Sequence, residues 1–313
     1  MKVSLISTVK DAAPQVRRFL ASVRGQTRPP EEVIVVDGGS TDGTLEVLRE
    51  AEGITLIEEP GANIARGRNI AAAAAAHEVI AVTDADCTLA PAWLACLVDV
   101  IDWGADVAMG SYRPLVRNFF EACVAAATVP EPDEIGEERF MPSSRSIAFR
   151  REVLDDAGGY PEWLDVGEDM YLNHRLRERG VEMRLSREAV AYWPMRGDLQ
   201  AVWRQYFRYA RGDALGGMYP ERHVIRFAVY GTAAAAAAAL PRRRWPALVT
   251  AAGALAYSSR RLRRALHLLP DPIDRAKAVI AVPALLGFID AAKMAGYASG
   301  LRERRSSPPA SCA

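Results

Sequence analysis

Short β-branched runs alternate with helical stretches over the first 110 residues. The strand candidates are Val3–Ile6, Glu32–Val36, Ile54–Ile57, Val79–Val82 and Asp106–Met109. The helix candidates between them are Pro14–Arg24, Thr44–Glu50, Ile64–Ala76 and Pro91–Trp103. This order predicts an α/β fold, with a mostly parallel sheet flanked by helices on both faces. Ligands of such sheets bind beyond the carboxyl ends of the strands, so the loops after each strand are the candidate sites.

Two longer helices are predicted further along. Ser143–Arg150 leads into another strand, and a helix then runs over Asp169–Arg179. The amphipathic stretch Leu199–Arg211 predicts the next helix. Gly180 and Gly212 follow these helices directly, and glycine is the residue that most often ends a helix.

The chain changes character after residue 221. Three apolar runs follow, Val224–Leu240, Trp245–Tyr257 and Ala278–Ile289, and the basic clusters Arg242–Arg244 and Arg260–Arg264 separate them. Crossing a bilayer takes about 20 apolar residues, and none of the runs reaches that length without interruption. We therefore expect helices that lie in or dip into the cytosolic leaflet. A soluble helical subdomain with an alanine-rich core is the alternative.

The net charge of zero conceals two segments of opposite sign. Lys plus Arg and Asp plus Glu number 39 each over the 313 residues. Residues 1–221 hold 24 basic and 35 acidic side chains, a net charge of −11, whereas residues 222–313 hold 15 and 4, a net charge of +11. This division predicts a domain at 1–221 and a membrane-associated helical region at 222–313 that binds anionic lipids. The composition is not that of a disordered chain, and no nucleic-acid partner is expected.

The compartment is predicted from the cysteines and the N-terminus. Cys87, Cys96, Cys123 and Cys312 show no CxxC spacing, which favours neither a zinc site nor a disulfide framework. The first strand begins within a few residues of Met1, with no secretory signal before it. Together with the basic tail, this predicts a protein on the cytoplasmic face of the cell membrane.

Two carboxylates follow the strand Val79–Val82. In the sequence Thr83-Asp84-Ala85-Asp86 the two aspartates lie at i and i+2, a spacing that directs both side chains to one side of an extended segment. Hard oxygen ligands of this kind suit Mg²⁺ or Mn²⁺, and phosphate oxygens normally complete the coordination of such an ion. The motif therefore predicts a diphosphate ligand, with a solvated acidic turn as the alternative.

Two further loops and one helix start hold polar groups at the same predicted edge. Asp37 begins the loop DGGSTDGT, where it can accept hydrogen bonds from a nucleobase or ribose, although a purely structural turn uses the same residue types. Arg66 and Arg68 lie near the start of a helix, where the macrodipole opposes them, so an anion such as a nucleotide phosphate is expected nearby. Glu168 and Asp169 begin a later helix. One carboxylate can stabilise the helix N-terminus while the other acts as a general base.

In this order, the motifs resemble those of family 2 glycosyltransferases with the GT-A fold. The matching pieces are Ser7-Thr8-Val9-Lys10, VDGGSTDGT, ARGRN, TDADC, AFRREVLDDAGGYPE and GEDMYLNHRLRERG, and the resemblance covers about residues 1–215. It implies a UDP- or GDP-linked sugar donor bound by Thr8, Lys10, Asp37, Arg66, Arg68 and Asp84. It also implies Mn²⁺ or Mg²⁺ held by Asp86 with Asp84, and Asp169 as the catalytic base beside Glu168. Transfer with inversion to a lipid-linked or cell-surface glycan acceptor is the implied reaction.

A later segment resembles a helix of membrane-bound family members that borders the acceptor channel. The residues that would meet the acceptor or the leaving diphosphate are Arg196, Gln205, Arg208 and Arg211, with a solvated helix face as the alternative. Many members also carry a metal-binding histidine after the strand that follows the Glu-Asp helix. Here that stretch reads Val190-Ala191-Tyr192-Trp193-Pro194, so no third protein ligand is predicted.

Two other functions use similar residues. A nucleotidyltransferase shares the sheet and the metal, but it normally opens with a glycine-rich basic loop that Ser7–Asp11 does not contain. A non-catalytic membrane-associated nucleotide binder has no need of the paired acids, which are present here. Nucleoside diphosphate release from nucleotide sugars distinguishes an enzyme from a binder.

Overall fold

A computed structural model describes the backbone of residues 1–131, 134, 136–239 and 245–306, and the side chains there except those of 239, 245–247, 250 and 251. These residues form two compact units. The first comprises Met1–Leu115 and Pro132–Pro194, and the second comprises Val116–Glu131 and Met195–Ala313.

The first unit contains eight strands among its described residues. They are β1 (Val3–Val9), β2 (Glu32–Asp37), β3 (Thr55–Glu58), β4 (Val79–Val82), β5 (Thr88–Leu89), β6 (Val107–Leu115), β7 (Ile147–Arg150) and β8 (Met183–Pro194). Its helices are α1 (Ala13–Arg24), α2 (Thr44–Arg49), α3 (Ile64–Ala74), α4 (Trp93–Asp102), α6 (Arg151–Asp156) and α7 (Glu168–Glu178). A short 3₁₀ turn covers Glu137–Arg139. The helix α5 (Phe119–Thr128) belongs to the second unit.

The strands form one sheet in the order β3-β2-β1-β4-β7-β6-β8-β5. Pairings of β1 with β2, β1 with β4, β2 with β3 and β6 with β8 are parallel, while β7 and β5 pair antiparallel with their neighbours. The predicted α/β class and mostly parallel sheet are therefore confirmed. Strands β1, β2 and β4 are almost wholly buried because helices cover the sheet, as their continuous apolar runs require.

The second unit is helical in its described part. With α5 it contains α8 (Leu199–Gly216), α9 (Pro220–Ala239), α10 (Trp245–Leu268) and α11 (Pro272–Ser306). The prediction that α8 ends before Gly212 is wrong. The buried Gly212 continues the helix, and Gly217, with φ of 66°, provides the left-handed residue that ends it.

Helix α11 packs closely along α8 through two glycines. A Cβ added at Gly296 would lie 2.1 Å from the Phe207 carbonyl oxygen, and one at Gly300 would lie 2.6 Å from the Arg211 carbonyl oxygen. Small residues four apart let two helix backbones approach in this way. Asp290, in the middle of α11, accepts a hydrogen bond from Arg226 Nε at 2.8 Å, so its charge is paired inside the unit.

Among the described helices, α11 alone is long and apolar enough to cross a membrane, and 39% of its most apolar window is buried against other helices. Apart from Leu199 on α8, the exposed large apolar side chains described in this unit lie on α9, α10 and the first third of α11. They include Val224, Ile225, Val229, Leu248, Val249, Leu255, Ile273, Val279 and Ile280. Arg242–Arg244 lie outside the described residues.

The two units do not divide the chain at residue 221. Helices α5 and α8, which precede that residue, belong with the C-terminal helices, since α8 and α5 both pack on α11. The charge-based division into 1–221 and 222–313, with its separate functions, stays a prediction.

Candidate active site

The loops after β1 and β2 are tied to each other by hydrogen bonds. Asp11, whose φ is 51°, accepts hydrogen bonds at Oδ1 from the Thr41 backbone N–H (2.7 Å), and its own N–H donates to Ser40 Oγ at 2.9 Å. Asp37 is 1% exposed and accepts from the N–H groups of Gly39 and Ser40, each at 2.9 Å. Asp37 therefore shapes its own loop, and its predicted contact with the nucleotide stays a prediction.

Helix α3 begins beside the end of β1. Asn63 accepts a hydrogen bond from Arg66 N and caps the helix. Gly67 permits the close approach, since an added Cβ would lie 2.7 Å from Thr8 Cγ2. Thr8 thus lies at the α3–β1 contact, and Lys10 follows on the exposed side of the loop.

The two arginines of α3 have different environments. Arg66 is half-exposed and pairs with Glu59 at 2.7 Å. Arg68 is 3% exposed and lies between two carboxylates, with NH1 2.6 Å from Glu168 Oε1 and NH2 2.7 Å from Asp84 Oδ1. The sequence predicts an anion near this helix start, and the anions in the structure are the carboxylates of Glu59, Asp84 and Glu168. Binding of the donor by Arg66 and Arg68 stays a prediction.

The Arg68 bridge links the acid after β4 to the acids at the start of α7. Burial opposes the charge of Arg68, but Asp84 and Glu168 outweigh it and raise its pKa. Burial, and next the charge of Asp169, raise the pKa of Glu168 to about 7, against the opposing effect of Arg68. A carboxyl group with such a pKa can change its protonation state near neutral pH.

Asp169 is held by backbone donors. Its Oδ1 accepts from Met170 N at 2.8 Å and its Oδ2 accepts from Ser144 N at 3.3 Å. The hydroxyl of Ser144 lies 2.9 Å from the buried Tyr160 hydroxyl, which fixes the segment that contacts Asp169. Gly167, with φ of 90°, turns the chain into α7 immediately before the two acids.

Arg145 and Trp193 also belong to this site, although the sequence analysis did not select them as site residues. Arg145 Nε lies 3.5 Å from Asp84 Oδ2, and its guanidinium carbon lies 4.1 Å from the centre of the Trp193 ring. Trp193 lies in the stretch Val190–Pro194, where the family resemblance implies a histidine that this chain does not have. Arg145 lies just before β7, which pairs antiparallel with β4. This pairing indicates Arg145 as a site residue, but the pairing cannot be predicted from the sequence.

The oxygen ligands suit a divalent cation that is completed by a substrate. The described residues contain no group of three or more His, Cys, Asp or Glu side chains that could hold a metal ion. Asp84, whose two oxygens also contact Arg68 and Arg145, and Asp86 are hard donors on one loop. Mg²⁺ and related ions are commonly held by one or two carboxylates plus phosphate oxygens. The residues therefore fit a metal bound together with a nucleoside diphosphate.

The four residues predicted for the acceptor or diphosphate lie in the second unit. Arg196 Nε donates to Gln205 Oε1 at 3.0 Å, Arg211 pairs with Glu303 at 2.6 Å, and Arg208 is exposed. Gln205 also donates to the Tyr209 hydroxyl at 2.9 Å. Their predicted role stays a prediction.

This α/β fold is of the GT-A type, in which sugar-transferring enzymes occur, and its paired acids after β4 and at the start of α7 suit that chemistry. Residues 4–156 match the family described as Glycosyl transferase family 2. These residues form a family 2 glycosyltransferase domain, and the protein is a nucleotide-sugar-dependent glycosyltransferase.

Named relatives agree with this assignment. The chain is 28% identical over 221 residues to glycosyltransferase AglE of Haloferax volcanii, which covers 67% of this chain and 72% of the relative. It is 27% identical over 218 residues to succinoglycan biosynthesis protein ExoA of Rhizobium meliloti (64% and 66%). It is 24% identical over 207 residues to O-antigen chain rhamnosyltransferase RfbN of Salmonella typhimurium (61% and 65%). The matches thus span about two thirds of each relative's length.

Solved structures share the fold. The mannosyltransferase PcManGT from Pyrobaculum calidifontis, in complex with GDP-Man and Mn²⁺, has a TM-score of 0.64 at 23% identity and covers 97% of this chain and 88% of its own. S. aureus TarS 1–349 in complex with UDP-GlcNAc has a TM-score of 0.54 at 17% identity, with coverages of 98% and 92%.

Proposed function

We propose that this enzyme transfers a sugar, with inversion, from a UDP- or GDP-linked donor to a hydroxyl of a lipid-linked or cell-surface glycan at the membrane. The observation that carries the proposal is the chain of contacts Asp84–Arg68–Glu168, which brings the acids after β4 next to the acids of α7. This arrangement supports a site in which the proposed donor-binding residues lie close to a candidate base.

Asp86, with Asp84, would hold the divalent cation. When bound, Mn²⁺ or Mg²⁺ supplies charge neutralisation for the departing diphosphate. The PcManGT structure with GDP-Man and Mn²⁺ supports a metal for a protein of this fold. Cys87, next in the chain, is buried, and burial raises the pKa of its thiol, so we assign it no ligand role.

Asp169 is the proposed general base. The N–H groups of Met170 and Ser144 fix the carboxylate, and the remaining oxygen lone pairs can accept a proton from the acceptor hydroxyl. As the acceptor oxygen bonds to C1 of the sugar, the bond from C1 to the diphosphate oxygen breaks and the proton passes to Asp169. Attack opposite to the leaving group inverts the anomeric carbon.

The proposal of a membrane-borne acceptor rests on the exposed surface of the second unit. The exposed apolar side chains of α9, α10 and the start of α11 offer a surface to lipid, and the exposed Arg260 and Arg263 lie on the same helix as several of them. Apolar burial combined with basic side chains is how helices bind anionic membranes. A relative named for O-antigen synthesis and another named for succinoglycan synthesis support a cell-envelope glycan.

The test is release of nucleoside diphosphate from a panel of UDP- and GDP-sugars, with Mn²⁺ and a membrane lipid extract. We expect extract-dependent release for one donor, and release at least about 10²-fold slower for the Asp169→Asn variant. Donor binding without any release would instead identify a non-catalytic nucleotide-sugar binder. Release of pyrophosphate from a nucleoside triphosphate and a sugar phosphate would identify a nucleotidyltransferase.

A further inference from the structure

We infer that Arg145 is an additional donor-binding residue, whose guanidinium contacts the diphosphate of the nucleotide sugar. This inference rests on the proposed function and adds a residue to the site. Its basis is the position of Arg145 between Asp84 and the ring of Trp193.

The sheet places Arg145 beside the motif that follows β4. Strands β4 and β7 are antiparallel, and Val82 pairs with Ile147. Continuing this register by two residues brings Asp84 opposite Arg145. The paired residues end at Val82 and Ile147, so Asp84 and Arg145 lie two residues beyond the ladder, where their side chains meet with Asp84 Oδ2 3.5 Å from Arg145 Nε.

Three contacts fix the guanidinium. Its plane lies over Trp193, its Nε faces Asp84, and its NH1 donates to Ser143 Oγ at 2.8 Å. The indole is itself buried, with the Tyr112 ring packed edge-on against it. Arginine held on an aromatic ring keeps its fork in one orientation, which is the arrangement that suits phosphate oxygens.

The two arginines that contact Asp84 differ in solvent exposure. The Arg68 side chain is 3% exposed, whereas that of Arg145 is 16% exposed and that of Asp84 is 24% exposed. Arg145 is thus the cation on the open side of the carboxylate. Arg68 holds Asp84 from the interior.

The negative charge of the departing diphosphate favours a further cation beside the metal ion. The nucleoside diphosphate that departs carries about −3 near neutral pH. One divalent ion leaves part of that charge uncompensated, and the described residues offer no group of three His, Cys, Asp or Glu ligands for a more fully built metal site. A guanidinium beside Asp84 supplies one more positive charge where the diphosphate is proposed to bind.

Calorimetric titration of the full chain in Mn²⁺ tests the inference. The probes are UDP, GDP, the two corresponding monophosphates and inorganic pyrophosphate. We expect Arg145→Gln to weaken binding of pyrophosphate and of the preferred diphosphate by roughly 10- to 100-fold, since a charge-assisted hydrogen bond is lost, with a much smaller effect on the monophosphate. Arg145→Lys should restore part of the loss, and Trp193→Leu should give an intermediate loss.

Arg49→Gln is the matched control, because Arg49 pairs with Glu58 at an exposed site. Unchanged diphosphate binding in Arg145→Gln would overturn the inference, and so would an equal loss for diphosphate and monophosphate. If Arg145→Gln does not fold, Arg145→Lys and Trp193→Leu decide by the same comparison. Failure of the wild-type protein to bind any of the probes would instead refute the proposed function, and the inference with it.

Discussion

Arg68 and Glu168 form a buried ion pair of 2.6 Å between residues 100 positions apart. Arg68 is also bound to Asp84, so one guanidinium determines the spacing between the acids after β4 and those of α7. Because burial raises the pKa of Glu168 to about 7, this link is sensitive to pH near neutrality.

Replacing Glu168 by glutamine should change how stability depends on pH. The folded-state pKa of about 7 lies above the ordinary value of 4.5, so the folded protein keeps a proton that the unfolded chain releases between these values. The contribution of Glu168 to stability is therefore full below pH 4.5 and falls as pH rises to about 7. Thermal unfolding from about pH 5 to about pH 8 should show wild type losing stability relative to Glu168→Gln, by an amount on the order of 3 kcal/mol.

The Glu178→Gln variant is the control for that experiment, since it removes an exposed carboxylate from the same helix. A constant difference in melting temperature between wild type and Glu168→Gln across this pH range would contradict the prediction.

Replacing Asp169 by asparagine should remove the base while preserving the shape of the site. We expect kcat to fall about 10²- to 10⁴-fold, because general-base catalysis contributes that much. Nucleoside diphosphate binding, measured by titration calorimetry, should be unchanged. Asp156→Asn, an exposed change in the same unit, should retain wild-type turnover. Full activity in Asp169→Asn would eliminate Asp169 as the base.

Replacing Asp86 by alanine should remove the metal dependence. A metal ion that stabilises the charge of the departing diphosphate lowers the activation free energy by several kcal/mol. Its loss should therefore reduce kcat by about 10²-fold or more. Nucleoside diphosphate binding in Mn²⁺ should drop to the level that wild type shows with a chelator. Asp102→Ala, at the exposed end of α4, is the control. Retention of the Mn²⁺ effect on binding in Asp86→Ala would refute the assignment of this ligand.

Replacing Gly296 by alanine should destabilise the helical unit. The added Cβ would lie 2.1 Å from the Phe207 carbonyl oxygen, and overpacking of this kind costs about 1–3 kcal/mol. Gly287→Ala on the same helix has no neighbouring atom within 4 Å, so it should be neutral or stabilising by up to about 1 kcal/mol. The melting temperatures of the two full-chain variants test this prediction. Equal changes in melting temperature for Gly296→Ala and Gly287→Ala would disprove close packing at Gly296.

Charged residues on the exposed apolar surface should weaken membrane binding. Leu255 and Ile280 are 67% and 77% exposed, and loss of their burial in lipid should lower binding by about tenfold or more in Leu255→Glu/Ile280→Glu. Co-sedimentation with phosphatidylcholine–phosphatidylglycerol vesicles measures this. Trp103→Glu, equally exposed at 74% in the first unit, is the control. The surface is not membrane-binding if both variants sediment like wild type.

Most of the first unit could be predicted from local sequence patterns. The runs at β1, β2 and β4 are continuous and apolar because both faces of the sheet are covered, and such runs are visible in the sequence. The order of the remaining strands was not predictable. The pairing of β6 with both β7 and β8 joins distant segments, which no local pattern specifies.

In the candidate site, too, local patterns revealed some residues, while others depend on contacts between distant parts of the chain. The acids Asp84 and Asp169 were found because they follow predicted elements, whereas Arg145 was missed because its significance comes from a partner 61 residues away in the chain. Arg68, near a helix start, is paired with anions as its position predicts. These anions are the carboxylates of Asp84 and Glu168, which lie too far away in the chain for a local pattern to indicate them.

The contact of α11 with α8 has a consequence for depth and sidedness. From Leu285 to Gly300 the helix buries one face against protein. Within Pro272–Val282, a length of about 16 Å, Ala278 and Val282 are also buried, so only the other side chains of this stretch can face lipid. The hydrocarbon interior of a bilayer is about 30 Å thick. In the proposed membrane-bound state this stretch alone is too short to cross the bilayer, so we expect the acceptor to be presented from the leaflet to which the enzyme binds.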